Sequence, residues 1–307
     1  LAGVAQPTGR IARIGLISLG DTGPSRDALL RALAELGYVE GRNIEIEQRS
    51  AAGQPERLAG LAGELVRAKV DIIVASATPS VQAAMTATKS IPIVMATAGD
   101  ALGTRLVDNL ARPRGNVTGF SLALIELAGK TVSLLREAVP HLKSIACVVH
   151  RQDPLHRGYL REVEATSKRI GLEFRPLVVS TTAELDGAMA TVGRGSTTGV
   201  IFQPIFLVDA TARAAIVRLA LEYGLPSVSG LRRFAEAGGF VAYSSEFDDL
   251  PRRVAGYIDK ILKGARPGDL PVEQPTRFEL IINLKTARAL GLTVAPSVLS
   301  RADNVIE

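Results

Sequence analysis

Asp71-Ile72-Ile73-Val74-Ala75-Ser76-Ala77 is an apolar run that passes without a break into Thr78-Pro79-Ser80-Val81-Gln82-Ala83-Ala84. Ile and Val in succession, with no polar alternation, describe a strand covered on both faces. Thr78 offers an N-cap oxygen, and Pro79 suits the opening of a helix, where no amide donor is needed. A doubly covered strand feeding a helix is a βα unit, and right-handed crossovers between such units make a parallel sheet. The turn also has a chemical character. The backbone N–H groups of Thr78 to Ser80 and the positive end of the helix favour an anion, a carboxylate included. None of these groups is reactive, so the turn is read as one that holds rather than converts.

The same alternation runs along the chain. Strands are predicted over residues 13–18, 43–48, 71–77 and 91–97, with helices over 25–36 and 55–68. Leu58, Leu61, Leu65 and Val66 form the helical stripe of the second. A new series starts after Gly115-Asn116-Val117-Thr118-Gly119. Its strands are 144–149, 174–179, 200–203 and 226–229, and its helices are 122–139, 155–170, 183–192 and 208–223. The fold class is α/β, with two doubly wound Rossmann-like lobes built on parallel sheets. A strand at 239–244, a helix at 250–262 and a strand at 278–284 are too little for a third domain. They are expected to complete the two sheets, with chain crossings near Thr118 to Ser121, Tyr243 to Glu246 and Val272 to Pro275. The lobes are then 11–119 plus 245–272 and 120–244 plus 273–307, and three crossings confine them to a hinge motion.

At 307 residues and 47% hydrophobic, the chain can bury two cores. Its net charge of +5 is spread out, and aromatics are only 4%, so the basic, aromatic-interleaved surface of a nucleic-acid binder is absent. The single cysteine, Cys147, excludes an intrachain disulfide and sits in an apolar run, where a thiol is inert. No stretch reaches the roughly 18 to 20 apolar residues of a membrane span. The small, featureless opening Leu1 to Thr8 is consistent with a removed targeting segment, which would place the protein outside the cytoplasm.

Sites of chemistry are missing where motifs would put them. Gly129-Lys130-Thr131 ends like a phosphate loop, but Leu124 stands where the motif needs Gly. Gly193-Arg194-Gly195 precedes a strand instead of following one. The three histidines, His141, His150 and His156, match no common zinc spacing and are assigned surface or loop-capping roles. No metal and no cofactor is expected. Asp21, Asp100, Asp153 and Glu246 each fall just past a strand or at a helix start. There an acid either caps a helix or meets a ligand beyond the carboxyl ends of the strands.

Gly41-Arg42-Asn43-Ile44, Gly115 to Gly119 and above all the tail Leu270-Pro271-Val272-Glu273-Gln274-Pro275-Thr276-Arg277-Phe278-Glu279-Leu280-Ile281-Ile282-Asn283-Leu284-Lys285-Thr286-Ala287 resemble one bacterial family. It is the ABC-transporter substrate-binding proteins of the tryptophan/tyrosine-binding type, and the likeness spans Ile14 to Ile306. The resemblance implies a periplasmic-binding-protein fold of the first class. It implies a monomeric extracytoplasmic receptor that holds a small molecule in the cleft between lobes and delivers it to a membrane permease. Carried over, the first-lobe site is Leu19-Gly20-Asp21, Thr78-Pro79-Ser80 and Gly99-Asp100. The second lobe offers Ser121, Gln152-Asp153, Gln203, Phe206 and Tyr243. Phe206 and Tyr243 cover an apolar ligand body, or else serve as core and as a hinge brace. Relatives often carry Asp-Pro where this chain has Gln203-Pro204. The lost acid weakens the inference of a ligand α-amino group and favours a carboxylate without one.

Two other functions fit the same architecture. A ligand-sensing module feeding a membrane receptor differs only in its partner. A cofactor-free racemase commonly uses one cysteine per lobe, and this chain has Cys147 alone. A repressor would need a helix-turn-helix, which the residues before Arg13 are too few to form.

Overall fold

The protein is described from a computed structural model, over residues 11–20, 25–245 and 249–307. Its chain divides into two compact units, Leu1–Ser121 with Asp248–Gln274 and Leu122–Phe247 with Pro275–Glu307. The first unit opens with β1 (Ala12–Ser18), α1 (Arg26–Glu35), β2 (Ile44–Ser50), α2 (Leu58–Arg67), β3 (Ile72–Ser76), α3 (Thr78–Ala87), β4 (Ile93–Ala98) and β5 (Val117–Ser121). The second contributes α4 (Leu124–Ala138), β6 (Ser144–His150), α5 (His156–Arg169), β7 (Glu173–Val179), α6 (Glu184–Val192), β8 (Thr198–Phe202), α7 (Ala210–Glu222), β9 (Ser227–Ser229), α8 (Arg232–Glu236) and β10 (Val241–Ser245). The chain then returns to the first unit for α9 (Leu250–Leu262) and β11 (Val272–Glu273). It ends in the second with β12 (Phe278–Asn283), α10 (Leu284–Ala289), α11 (Pro296–Leu299) and β13 (Asn304–Ile306).

The first unit's sheet has the order β11-β5-β4-β3-β1-β2, parallel throughout. β3 and β5 are buried at every position, as their apolar runs require, whereas the edge strand β2 is partly exposed. The buried face of α2 is Leu58, Ala62 and Leu65, spaced i, i+4, i+7. The expected stripe is thus turned: Leu61 and Val66 flank the buried face instead of forming it. Gly119 has φ 125°, and an added Cβ would collide with the carbonyl of Met95. The glycine of the Gly115 to Gly119 motif is therefore needed for β5 to lie against β4. Asn43 closes the Gly41-Arg42-Asn43-Ile44 turn, accepting from the Val39 N–H at 2.7 Å and donating to the Gly37 carbonyl at 3.0 Å.

The second unit's sheet has the order β13-β12-β10-β9-β8-β6-β7. It is parallel as expected, apart from β12, which lies antiparallel to β10. β12 follows the chain's last return from the first unit, so no helical crossover within the second unit sets its direction. β6 divides its side chains between two cores. Cys147 and Val149 pack with α4 and α5, and Ala146 and Val148 pack with α6 and α7. The tail motif is architectural. Asn283 caps α10 by accepting from the Thr286 N–H at 3.0 Å and donates to the Ala235 carbonyl at 3.0 Å, while Thr286 Oγ1 donates to the Gly238 carbonyl at 2.6 Å.

Candidate functional site

In the first unit the sequence-predicted residues stand at the carboxyl ends of adjacent strands. Leu19 and Gly20 follow β1, Thr78 to Ser80 follow β3, Gly99 and Asp100 follow β4, and Ser121 ends β5. Asp21 lies outside the described residues, as does Glu246. Leu19 is core, with its side chain fully buried. Ser121 belongs to this unit and not to the second, where the resemblance places it. It pairs with Ala98 in the sheet, and its Oγ accepts the Ala101 N–H at 3.0 Å.

The turn between β3 and α3 differs from its sequence reading. Ala77, not Thr78, is the residue before the helix, and it holds φ 73° with ψ 146°. That conformation costs a non-glycine residue about 1–3 kcal/mol and is typical of positions fixed by function. The Ala77 N–H donates to the Thr97 carbonyl at 2.8 Å, which ties the strained residue to β4. The Thr78 hydroxyl does not cap the helix. It accepts the Gly99 N–H at 2.9 Å, because the turn of Ala77 aims it at β4. Nor are the amides of 78–80 collectively free. The Ser80 N–H donates to the Ala77 carbonyl at 3.0 Å, and Pro79 has none, so the anion site narrows to the Thr78 N–H and the helix dipole. One further polar group is left over. Ser80 is 0% exposed, and its Oγ has no hydrogen-bond partner among the described residues. A buried hydroxyl without a partner costs about 1–3 kcal/mol, so such groups are rare outside functional sites. Asp100 spends one carboxylate oxygen on its own turn, accepting the Gly103 N–H at 2.8 Å.

In the second unit Gln152 and Asp153 follow β6, and Gln203 and Phe206 follow β8, its neighbour in the sheet. The structure brings these four together. Gln203 is 1% exposed, and its Oε1 accepts the His150 N–H at 3.0 Å, while its Nε2 has no partner among the described residues. Asp153 is 3% exposed, and its Oδ1 accepts the Leu155 N–H at 3.0 Å. It closes a turn just ahead of α5, whose N-cap is Leu155 with no side-chain cap bond, so Asp153 does not cap the helix, and burial leaves its charge poorly compensated. Desolvation pushes its pKa up to about 7, against the smaller opposing pull of the Leu155 N–H. A carboxyl poised near neutrality and an unspent amide donor, on residues that are both bonded to the His150 backbone through other atoms, are the pattern of a ligand site. Phe206 packs into the core beneath β8 and also lies against the His150 ring, with centroids 5.3 Å apart.

For His150 the sequence predicts a surface or loop-capping role, and the surface part of that does not hold, since the residue is buried. It does cap, accepting the Gln152 N–H on Nδ1 at 3.2 Å, yet it also touches Gln203 and Phe206. Its place as the last residue of a buried strand is the signal that marks it. His156 Nδ1 donates to the Asp153 carbonyl at 2.7 Å, and His141 pairs with the Ser196 hydroxyl at the surface. Tyr243 is half-buried in β10, stacked on Phe278 at 5.8 Å and packed against the cluster of Leu124, Leu127 and Leu155. Among the described residues no cluster of His, Cys, Asp and Glu could hold a metal, and no helix is long and apolar enough to cross a membrane.

The chain is similar to several known proteins. A protein described as tyrosine-binding, from Clostridioides difficile strain R20291, is 27% identical over 269 residues, covering 87% of this chain and 76% of its own length. A Streptococcus pneumonia ABC domain solved in complex with L-Trp is 28% identical with a TM-score of 0.84, covering 96% of this chain and 100% of its own. A conserved domain protein from Vibrio cholerae is 27% identical with a TM-score of 0.87 and the same coverage of 96% and 100%. Residues 16–306 match the family model of the ABC transporter substrate-binding protein. The chain belongs to that family, the ABC transporter substrate-binding proteins.

Proposed function

We propose that the protein is the solute receptor of an ABC importer and that its ligand is an aromatic L-amino acid or a close analogue. It works outside the cytoplasmic membrane, as a monomer, and hands its ligand to a permease. The observation that carries the ligand class is Asp153. A buried carboxyl whose only stabilising hydrogen bond among the described residues comes from Leu155 N–H is matched by a ligand ammonium, which supplies the missing counter-charge. The unspent Gln203 Nε2 is a donor for a ligand carboxylate or ring acceptor. Phe206 and the His150 ring supply apolar and aromatic surface. In the first unit, the Thr78 N–H and the Ser80 Oγ are the polar groups available to a ligand carboxylate.

Asp153 reverses the weight that Gln203 alone gave to an amine-free carboxylate: the acid absent after β8 is present after β6. The relatives described as binding tyrosine and L-Trp support the same class. Cys147 is fully buried in β6, with its thiol pushed far up by desolvation, which leaves the racemase reading without a nucleophile at a site. The test is calorimetry at pH 8 with L-Trp, L-Tyr and 3-indolepropionate, the amine-free analogue of L-Trp. The amino acids bind, and removing the ammonium weakens binding about 10–100-fold, the worth of one hydrogen bond to a charged group. Equal affinity for 3-indolepropionate would sink the assignment of Asp153.

A further inference from the structure

We infer that His150 is the positioning residue of the second unit's ligand-binding group, and that it acts as a neutral imidazole accepting through Nδ1. The inference rests on the proposed ligand reading for its binding arm only. Four of its interactions bear on that group. Its carbonyl accepts the Asp153 N–H at 3.0 Å, and its Nδ1 accepts the Gln152 N–H at 3.2 Å, so the turn carrying Asp153 is closed by backbone and ring together. Its own N–H holds Gln203 Oε1 at 3.0 Å. Because the carboxamide is planar, fixing Oε1 also fixes where the unspent Nε2 points. Its ring lies against Phe206 at 5.3 Å with the planes inclined by 52°.

The Gln152 bond sets the protonation state. An acceptor at Nδ1 requires the ring proton on Nε2. The Nδ1–H tautomer, or the imidazolium, would set a ring N–H against the Gln152 N–H and open the turn that carries Asp153. Packing and acceptance can be separated by substitution. In His150→Asn the side-chain oxygen can occupy the position of Nδ1, so the acceptor survives and the ring is lost. In His150→Phe the ring survives and the acceptor is lost. The backbone N–H to Gln203 is unchanged in both.

The experiment has two arms. Titration of L-Trp at pH 8 is expected to find His150→Asn within about threefold of the wild type and His150→Phe weaker by about tenfold or more, since one hydrogen bond of the closing turn is missing. A purely packing role gives the opposite order, and that order overturns the inference. The second arm needs no ligand and no variant. Nitrogen-15 NMR of the imidazole in the free wild-type protein at pH 8 is expected to show Nδ1 unprotonated and hydrogen-bonded, with the proton on Nε2. A proton on Nδ1 overturns the inference. If the wild type binds neither L-Trp nor L-Tyr, the ligand reading fails and the NMR signature alone decides on His150.

Discussion

The hydroxyl of Thr78 accepts the backbone N–H of Gly99 at 2.9 Å, with Thr78 itself 2% exposed. A side chain that the sequence offers as a helix cap is used instead to lock the start of α3 onto the end of β4. Thr78→Val keeps the shape and removes the acceptor, which leaves the Gly99 N–H buried and unpaired. The cost expected is about 1–3 kcal/mol. It is read as a lowered urea midpoint, and a midpoint unchanged from wild type would show that Gly99 finds another acceptor.

Ser80 gives the opposite expectation. Its Oγ is buried and unpaired, so Ser80→Ala removes a desolvated group that stabilises nothing within the chain. The variant is expected to be at least as stable as the wild type while binding L-Trp about tenfold more weakly. That divergence is the mark of a group kept for a ligand. Loss of stability in the variant, with affinity intact, would assign Ser80 to the fold.

Asp153 makes stability and binding depend on pH in opposite directions. Its pKa is raised from 3.8 unfolded to about 7 folded, so the native state holds the extra proton between these values. The associated stability is fully present below about pH 4 and is lost as pH rises through about 7, amounting at most to about 4 kcal/mol. Asp153→Asn should abolish this slope in urea midpoints measured from pH 4 to 8. Ligand ammonium needs the ionised form, so L-Trp affinity should rise as pH increases through the same value, with a proton released on binding. A wild-type affinity that is flat from pH 5 to 8 contradicts the ammonium assignment.

Much of the architecture was legible in the chain itself. The helix over Leu250 to Leu262 and the strands β1 to β4, β6 to β10 and β12 follow from apolar periodicity and from Gly and Pro at element ends, which are local signals, whereas β5, β11 and β13 are not among the strands those signals predict. What was not legible has long-range causes. β11 is two residues long, and it exists because Thr118 Oγ1 and Tyr257 Oη, donating to the Leu270 and Pro271 carbonyls at 2.8 Å and 2.6 Å, hold that segment beside β5. The reversed direction of β12 depends on which unit the chain last left. α8 carries no strong period in its five residues and owes its place to Phe234 in the core.

The candidate site divides along the same line. The sequence determined where strands end and helices begin, and therefore that Thr78, Ser80, Gly99, Asp153 and Gln203 lie at the carboxyl ends of strands. It did so because those boundaries are written in contiguous residues. Only the tertiary structure decided which polar groups are spent and which remain. Thr78 is consumed by Gly99, Ser121 by Ala101 and half of Gln203 by His150, while Ser80 Oγ, Gln203 Nε2 and the Asp153 charge are left uncompensated. Hydrogen-bond satisfaction is settled by partners from other strands, 20 to 53 residues away in these cases, and no local pattern encodes that choice.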